Sequence, residues 1–102
     1  MRANNSPVDK NKSRLESLRY KLGKTDKQII RLLGRRMETS ALIGLLKLKN
    51  GMPIPQNDFW NESSIMRGRK ASKYNLDKDF IENLFLLVQN ESIKIQQKIF
   101  ED

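Results

Sequence analysis

Two basic residues stand where this sequence could bind an anion. Arg36 and Lys47 are 11 residues apart, close to three turns at 3.6 residues per turn, so a helix through both points them the same way. Ser40 and Gly44 lie between them on that side. Neither cation has an acidic residue three or four positions away to neutralise it. Two unpaired cations on a mainly apolar face form a receptor for a small dianion, and Gly44 leaves room for a ligand against the helix. A plainer reading stands beside this one. Arg36 reaches along the apolar face to solvent, and Lys47 is a cation at a helix C-terminus, where the dipole favours it. Spacing alone leaves both open.

Three further polar residues bear on the same question. Ser92 and Gln96 are four residues apart and continue an apolar stripe with a hydroxyl and an amide. If buried, both need hydrogen-bond partners, and a ligand can supply them; if exposed near the end of the chain, they need none. Arg19 precedes Arg36 by 17 residues, about 25 Å along one helix. It reaches the same small site only from a second chain packed antiparallel; otherwise it is a surface partner for Glu16.

Helices must position all of these. From Ser13 to Asn50, Leu15, Leu18, Leu22, Ile29, Leu32, Ile43 and Leu46 recur every three or four residues, the pattern of one helical face. Thr25, Arg36 and Thr39 fall on that stripe. Ser13 with Glu16 predicts a capping box at its start, and Asn50-Gly51 followed by Pro53 and Pro55 predicts its end. A helix of about 38 residues spans roughly 57 Å, too long for a compact monomer of this size, so a second chain is expected to cover the stripe. Asp58 is the expected N-cap of a short second helix with Trp60, Ile65 and Met66 as apolar contacts, interrupted at Gly68. Asn75 predicts its stop, and Asp77 predicts the N-cap of a third helix whose stripe is Phe80, Ile81, Leu84, Phe85, Val88, Ser92, Ile95 and Ile99. The fold class is all-α, with long, short and medium helices. Residues 1–12 read as a flexible basic tail and residues 13–102 as the domain.

Composition narrows the chemistry. The chain has 102 residues, a net charge of +8, no cysteine and no histidine. Disulfides and thiol chemistry are therefore excluded, and a catalytic zinc or a histidine triad is not expected. No apolar run approaches the ~18 residues that span a bilayer, and no signal-peptide core stands at the N-terminus; no membrane association and a cytoplasmic location are expected. The charge fits nucleic acid, an acidic surface or a small anion. For nucleic acid, no recognition helix or basic-aromatic platform stands out.

An ordered set of residues carries a family resemblance. Leu18-Arg19, Asp26, Ile29-Ile30, LLGRRM at 32–37, Gly44, Lys47, GMPI at 51–54 and DFIENLFLLVQNESIKIQQ at 79–97 resemble the all-α, AroQ-type chorismate mutases over about residues 13–100. The resemblance implies an intertwined homodimer of three-helix protomers and a small dicarboxylate substrate, chorismate. It implies no cofactor, no metal and no nucleic-acid partner. Arg36 would bind one substrate carboxylate and Arg19 of the second protomer the other. Lys47 and Gln96 would flank the ether oxygen, and Ser92 would lie near the substrate. In the rearrangement to prephenate a C–O bond breaks as a C–C bond forms. The lysine and amide then stabilise charge developing on oxygen, while the pocket holds the reactive conformer. A chain of this length is expected to hold no fused dehydratase, dehydrogenase or regulatory domain.

The second helix departs from the family pattern. With two extra loop residues, Asp58 and Glu62 match the family's acidic positions and Asn61 replaces its arginine; without them, Phe59 and Trp60 fall there. The former keeps Ile65 and Met66 at apolar positions and is preferred, which adds Asp58, Asn61 and Glu62 to the substrate contacts. Arg67 and Arg69 are the basic residues nearest to a replacement. The departure keeps two sister activities in view, 4-amino-4-deoxychorismate mutase and isochorismate-pyruvate lyase. A non-catalytic dimer and a basic nucleic-acid-binding dimer are the readings from other classes.

Overall fold

The computed structural model describes residues 7–54 and 57–101, with the backbone alone for 57–59. It contains α1 (Pro7–Lys49), α2 (Asn57–Lys73) and α3 (Lys78–Glu101), and no strand among the described residues. The all-α class and the long, short, medium order are as the sequence implies. No helix among the described residues is long and apolar enough to cross a membrane.

The start of α1 differs from expectation. It begins at Pro7, so Ser13 lies inside the helix rather than capping it, and residues 7–12 are helical rather than part of a flexible tail. Proline suits a first turn because its missing N–H has no intrahelical acceptor there and its φ is already set.

The chain divides into two units, Met1–Arg35 and Arg36–Asp102. In the first, residues 7–35 are helical and none is buried. Leu15, Leu18, Leu22, Ile29 and Leu32 are each at least 45% exposed, so the apolar stripe is written in the sequence but left uncovered by its own chain. Local contacts are of the helix-surface kind: Thr25 Oγ1 donates to the Lys21 carbonyl at 3.2 Å, and the Lys24 ammonium lies 5.6 Å from the Tyr20 ring centre.

The second unit holds the end of α1 with α2 and α3. Its helix ends follow local chemistry. Gly51, at φ 62°, turns the chain so that the Met52 N–H donates to the Lys47 carbonyl at 2.8 Å and the Gly51 N–H donates to that of Leu48 at 3.4 Å, the paired bonds of a Schellman motif. Asn75, at φ 58°, closes α2 in the same way, with Leu76 N–H on Ala71 and Asn75 N–H on Ser72. Asp77 then caps α3, its Oδ2 accepting from the Phe80 N–H at 3.3 Å. Asn75 and Asp77 do what the sequence implies. The second helix starts at Asn57, so Asp58 lies just inside it; the Asp58 side chain lies outside the described residues.

The interior of this unit is small and largely polar. Ala71 and Val88 are its buried apolar side chains among the described residues, against Ser40, Lys47, Arg67, Ser92 and Gln96 as buried polar ones. Helix α2 packs on α3 through Arg67 and Ala71; of the expected apolar contacts, Trp60 is partly buried against Arg67, while Ile65 and Met66 are more than half exposed. Gly68 does not interrupt α2, which continues through it. On α3 the stripe buries Val88 and Ser92 and partly covers Ile81, Phe85, Ile95 and Ile99, while Phe80 and Leu84 are exposed.

Two glycines have opposite requirements. A Cβ at Gly68 meets nothing within 4 Å, so Gly68→Ala is expected to raise stability by about 0.5–1 kcal/mol through helix propensity alone. Gly51→Ala forces an L side chain into a left-handed turn and is expected to lower stability by ~1 kcal/mol. Urea unfolding of the two variants checks both signs.

Candidate functional site

The end of α1 and the middle of α3 build one cavity. Its wall on α1 carries Arg36, Ser40, Ile43 and Lys47; its wall on α3 carries Gln89, Ser92 and Gln96. The volume is about 210 Å³. These residues fall at three- and four-residue steps along each helix, so each helix turns one polar strip into the cavity.

Gly44 sets how closely the walls approach. A Cβ there would stand 3.1 Å from Gln96 Cγ, 3.2 Å from Gln96 Cα and 3.2 Å from Ile99 Cδ1. Gly44 therefore does not open space for a ligand, as its sequence position implied. It lets the α3 backbone close in, and that contact brings Lys47 and Gln96 together. Lys47 Nζ donates to Gln96 Oε1 at 3.0 Å. With its oxygen turned to the ammonium, the Gln96 amide presents its NH2 as a donor elsewhere. The Schellman motif that ends α1 uses the Lys47 carbonyl, which fixes the backbone from which this side chain extends.

A second cluster orients Arg36. Its Nη1 donates to Ser92 Oγ at 2.7 Å, and Ser40 Oγ donates to the same oxygen at 2.9 Å. Ser92 in turn gives its proton to Met37 Sδ at 3.7 Å, a weak acceptor. Ser92 is thus occupied by protein groups, and its visible role is to hold the Arg36 guanidinium. The ring of Phe85 lies 6.0 Å from that guanidinium, within cation–π range.

The electrostatics of the cavity are one-sided. No acidic side chain lines it among the described residues. Burial pushes the Lys47 pKa below its ordinary value, and Arg36 is lowered first by burial and then by the nearby charge of Arg67. Each shift says that the charged form is held without a compensating anion. An incoming dianion supplies that compensation, so the cavity is built to bind negative charge with hydrogen-bond donors already in place.

Of the residues singled out from sequence, the structure brings Arg36, Lys47, Ser92 and Gln96 into one site. Arg19 is exposed in the other unit. Asn61 and Glu62 are exposed on α2 and do not line the cavity; Glu62 borders a shallow depression with Ile65, Met66, Arg69 and Lys70. Asp58 has no described side chain. Gln89 lines the site without having been singled out, although its place three residues before Ser92 and seven before Gln96 is a helical-face signal. The Arg67 cluster with Trp60, Glu82 and Phe85 carried no local signal at all, because its pairing spans 15 residues between two helices.

The depressed Lys47 pKa has a consequence for stability. The unfolded chain binds its lysine proton at pH values where the folded chain has begun to release it, so stability rises with pH through that interval. Unfolding free energy in urea is expected to climb as the pH rises toward the ordinary lysine value near 10.4, and Lys47→Met is expected to flatten that climb.

A family model described as chorismate mutase type II matches residues 18–97. Similar curated proteins include the bifunctional chorismate mutase/prephenate dehydratase of Buchnera aphidicola subsp. Baizongia pistaciae (strain Bp), 30% identical over 89 residues that cover 85% of this chain and 24% of that protein. The protein of the same description from Buchnera aphidicola subsp. Schizaphis graminum (strain Sg) is 32% identical over 90 residues, covering 86% of this chain and 23% of that protein. The chain thus spans about a quarter of the length of these relatives. No solved structure gives a significant match. The chain belongs to the chorismate mutase type II family.

Proposed function

We propose that this member of the family catalyses the rearrangement of chorismate to prephenate, as a homodimer in the cytoplasm. The observation that carries the reading is the Lys47–Gln96 pair: a buried ammonium 3.0 Å from an amide oxygen, in a cavity whose charged lining is cationic. The reaction is a pericyclic shift within one molecule. It needs no nucleophile and no proton acceptor, so the missing cysteine and histidine are no obstacle. What it needs is a compact substrate conformer and donors at the oxygen that gains negative charge as the C–O bond stretches.

Arg36, held by Ser92, takes one carboxylate and fixes the substrate's orientation. Lys47 lies about three turns further along the same helix and directs its ammonium at the ether oxygen. The Gln96 NH2 approaches that oxygen from α3. Both donors are in place before reaction, so little reorganisation accompanies charge development. Lys47 gains most from that charge, because burial leaves its ammonium poorly solvated beforehand. Removing either donor is expected to cost at least ~10²-fold in kcat. Lys47→Ala and Gln96→Ala, assayed for loss of chorismate and appearance of prephenate, check this. The same assay with isochorismate and 4-amino-4-deoxychorismate separates the sister activities. Indifference of the wild-type protein to all three compounds sinks the catalytic reading.

The dimer is supported by the uncovered stripe on residues 7–35, whose leucines and isoleucines would otherwise face water. In an antiparallel pairing of two α1 helices, Arg19 of one protomer reaches the other's site and takes the second carboxylate. Arg19→Ala and Arg36→Ala are each expected to be nearly inactive alone. In a mixed dimer, one of the two sites contains both intact arginines. Unfolding and refolding the two variants together is therefore expected to restore activity to about a quarter of wild type, since half the dimers are mixed. Activity no higher than that of either variant alone speaks against a shared site.

A further inference from the structure

One buried cation has no part in the proposed reaction. Arg67 is 4% exposed. Its Nε donates to Glu82 Oε1 at 3.2 Å, and its guanidinium lies 4.0 Å from the Trp60 ring centre and 5.2 Å from that of Phe85. The Nη2 atom is buried and has no hydrogen-bond partner, the single case among the buried side-chain nitrogens and oxygens described. A structural pin between α2 and α3 does not require such an orphan. Glu82 is 35% exposed and engages the guanidinium through Nε, where a carboxylate paired in the two-point manner would also satisfy the outer nitrogens. The side chain is clamped on one edge and unused on the other.

Arg67 does not itself line the cavity, but it neighbours Arg36, which does. Arg36 and Arg67 share the Phe85 ring, at 6.0 and 5.2 Å, so their guanidiniums lie no farther apart than those distances together allow. Two like charges beside one aromatic ring repel, and among the described residues a carboxylate pairs with Arg67 alone of the two. A carboxylate has two oxygens and about four acceptor positions, enough for two guanidiniums at once. Arg69, the other basic candidate on this helix, is exposed and has no such setting.

We infer that Arg67 is a second anion anchor of the site, its free Nη2 edge donating to the same substrate carboxylate that Arg36 holds. Glu82, Trp60 and Phe85 then keep the guanidinium extended for that contact, and the bound carboxylate relieves the repulsion between the two arginines. This inference rests on the proposed reaction for the identity of the ligand, chorismate, but its binding arm is independent of turnover.

The test uses full-length Arg67→Met, Arg67→Lys and Arg69→Met, with chorismate affinity by calorimetry, KM and kcat by the prephenate assay, and thermal unfolding. Arg67→Met is expected to weaken chorismate binding and raise KM at least tenfold, with Arg67→Lys recovering part of the loss and Arg69→Met near wild type. A melting temperature lowered by Arg67→Met while affinity and KM stay at wild-type values makes Arg67 a structural pin and overturns the inference. Should Arg67→Met not fold, the side-chain Nε–Hε resonance of Arg67 in the labelled wild type is followed on adding chorismate. A shift supports the anchor and no shift rejects it. A wild-type protein that binds chorismate through Arg67 without converting it removes the mutase reading and keeps the anchor. One that binds none removes both.

Discussion

Lys47 is 9% exposed, and its ammonium meets an amide oxygen where a buried cation would ordinarily meet a carboxylate. Arg36 repeats the arrangement with a hydroxyl. Hydrogen bonds to neutral oxygens satisfy donors but do not neutralise charge, and the lowered pKa values of both groups register the difference. The rest of the second unit follows from this constraint. Its buried set is mostly polar because each cation needs an acceptor and each acceptor needs a place in the interior. Ser92, Ser40 and Gln96 are those acceptors or their supports, and Val88 and Ala71 supply the little apolar packing between them.

The geometry of that compromise is set by the backbone. Gly44 admits the α3 main chain to a distance at which an alanine methyl would press on Gln96 Cα. Without that approach, a lysine on α1 and a glutamine on α3 do not meet at 3.0 Å. Downstream, the left-handed turns at Gly51 and Asn75 and the Asp77 cap fix where α1 stops, where α2 stops and where α3 starts. These ends are worth roughly a kcal/mol each, modest beside the total. Their effect on function is larger, since the register of α3 against α1 decides which residue faces Lys47.

Much of the site was legible because its residues obey a helical period. Arg36 and Lys47 share a face by spacing alone, and Ser92 and Gln96 stand out as polar interruptions of an apolar stripe. Asn75 and Asp77 announced a helix stop and a restart through their own side-chain and backbone preferences. The start of α1 was not legible in the same way: Ser13 with Glu16 is a sound local cap, but the helix continues back to Pro7, and propensity does not choose between nested starts. The second helix misled for a different reason. Its buried face is Arg67 and Ala71, two residues that carry little hydrophobic signal, while its conspicuous Ile65 and Met66 stay more than half exposed. A face held by an arginine stacked on Trp60 and Phe85 is a tertiary fact, invisible to periodicity.

The same reasoning explains why family membership and site chemistry carry different information here. Membership follows from an ordered pattern over residues 18–97, to which every helix contributes. The substrate's fit depends on where the cations stand, and cations are interchangeable between positions that converge on one point in space. In the register that sets Asp58 and Glu62 on the family's acidic positions, an arginine lost from one turn of α2 leaves a gap in the pattern at Asn61. A guanidinium set beside Arg36 from another turn leaves no corresponding gain in the pattern, because it is held by Glu82 and Phe85 on α3. Charge at a site is therefore a property of the folded arrangement before it is a property of any single column of sequence. Arg67, sharing an aromatic ring with Arg36, is the place in this chain where the two descriptions separate.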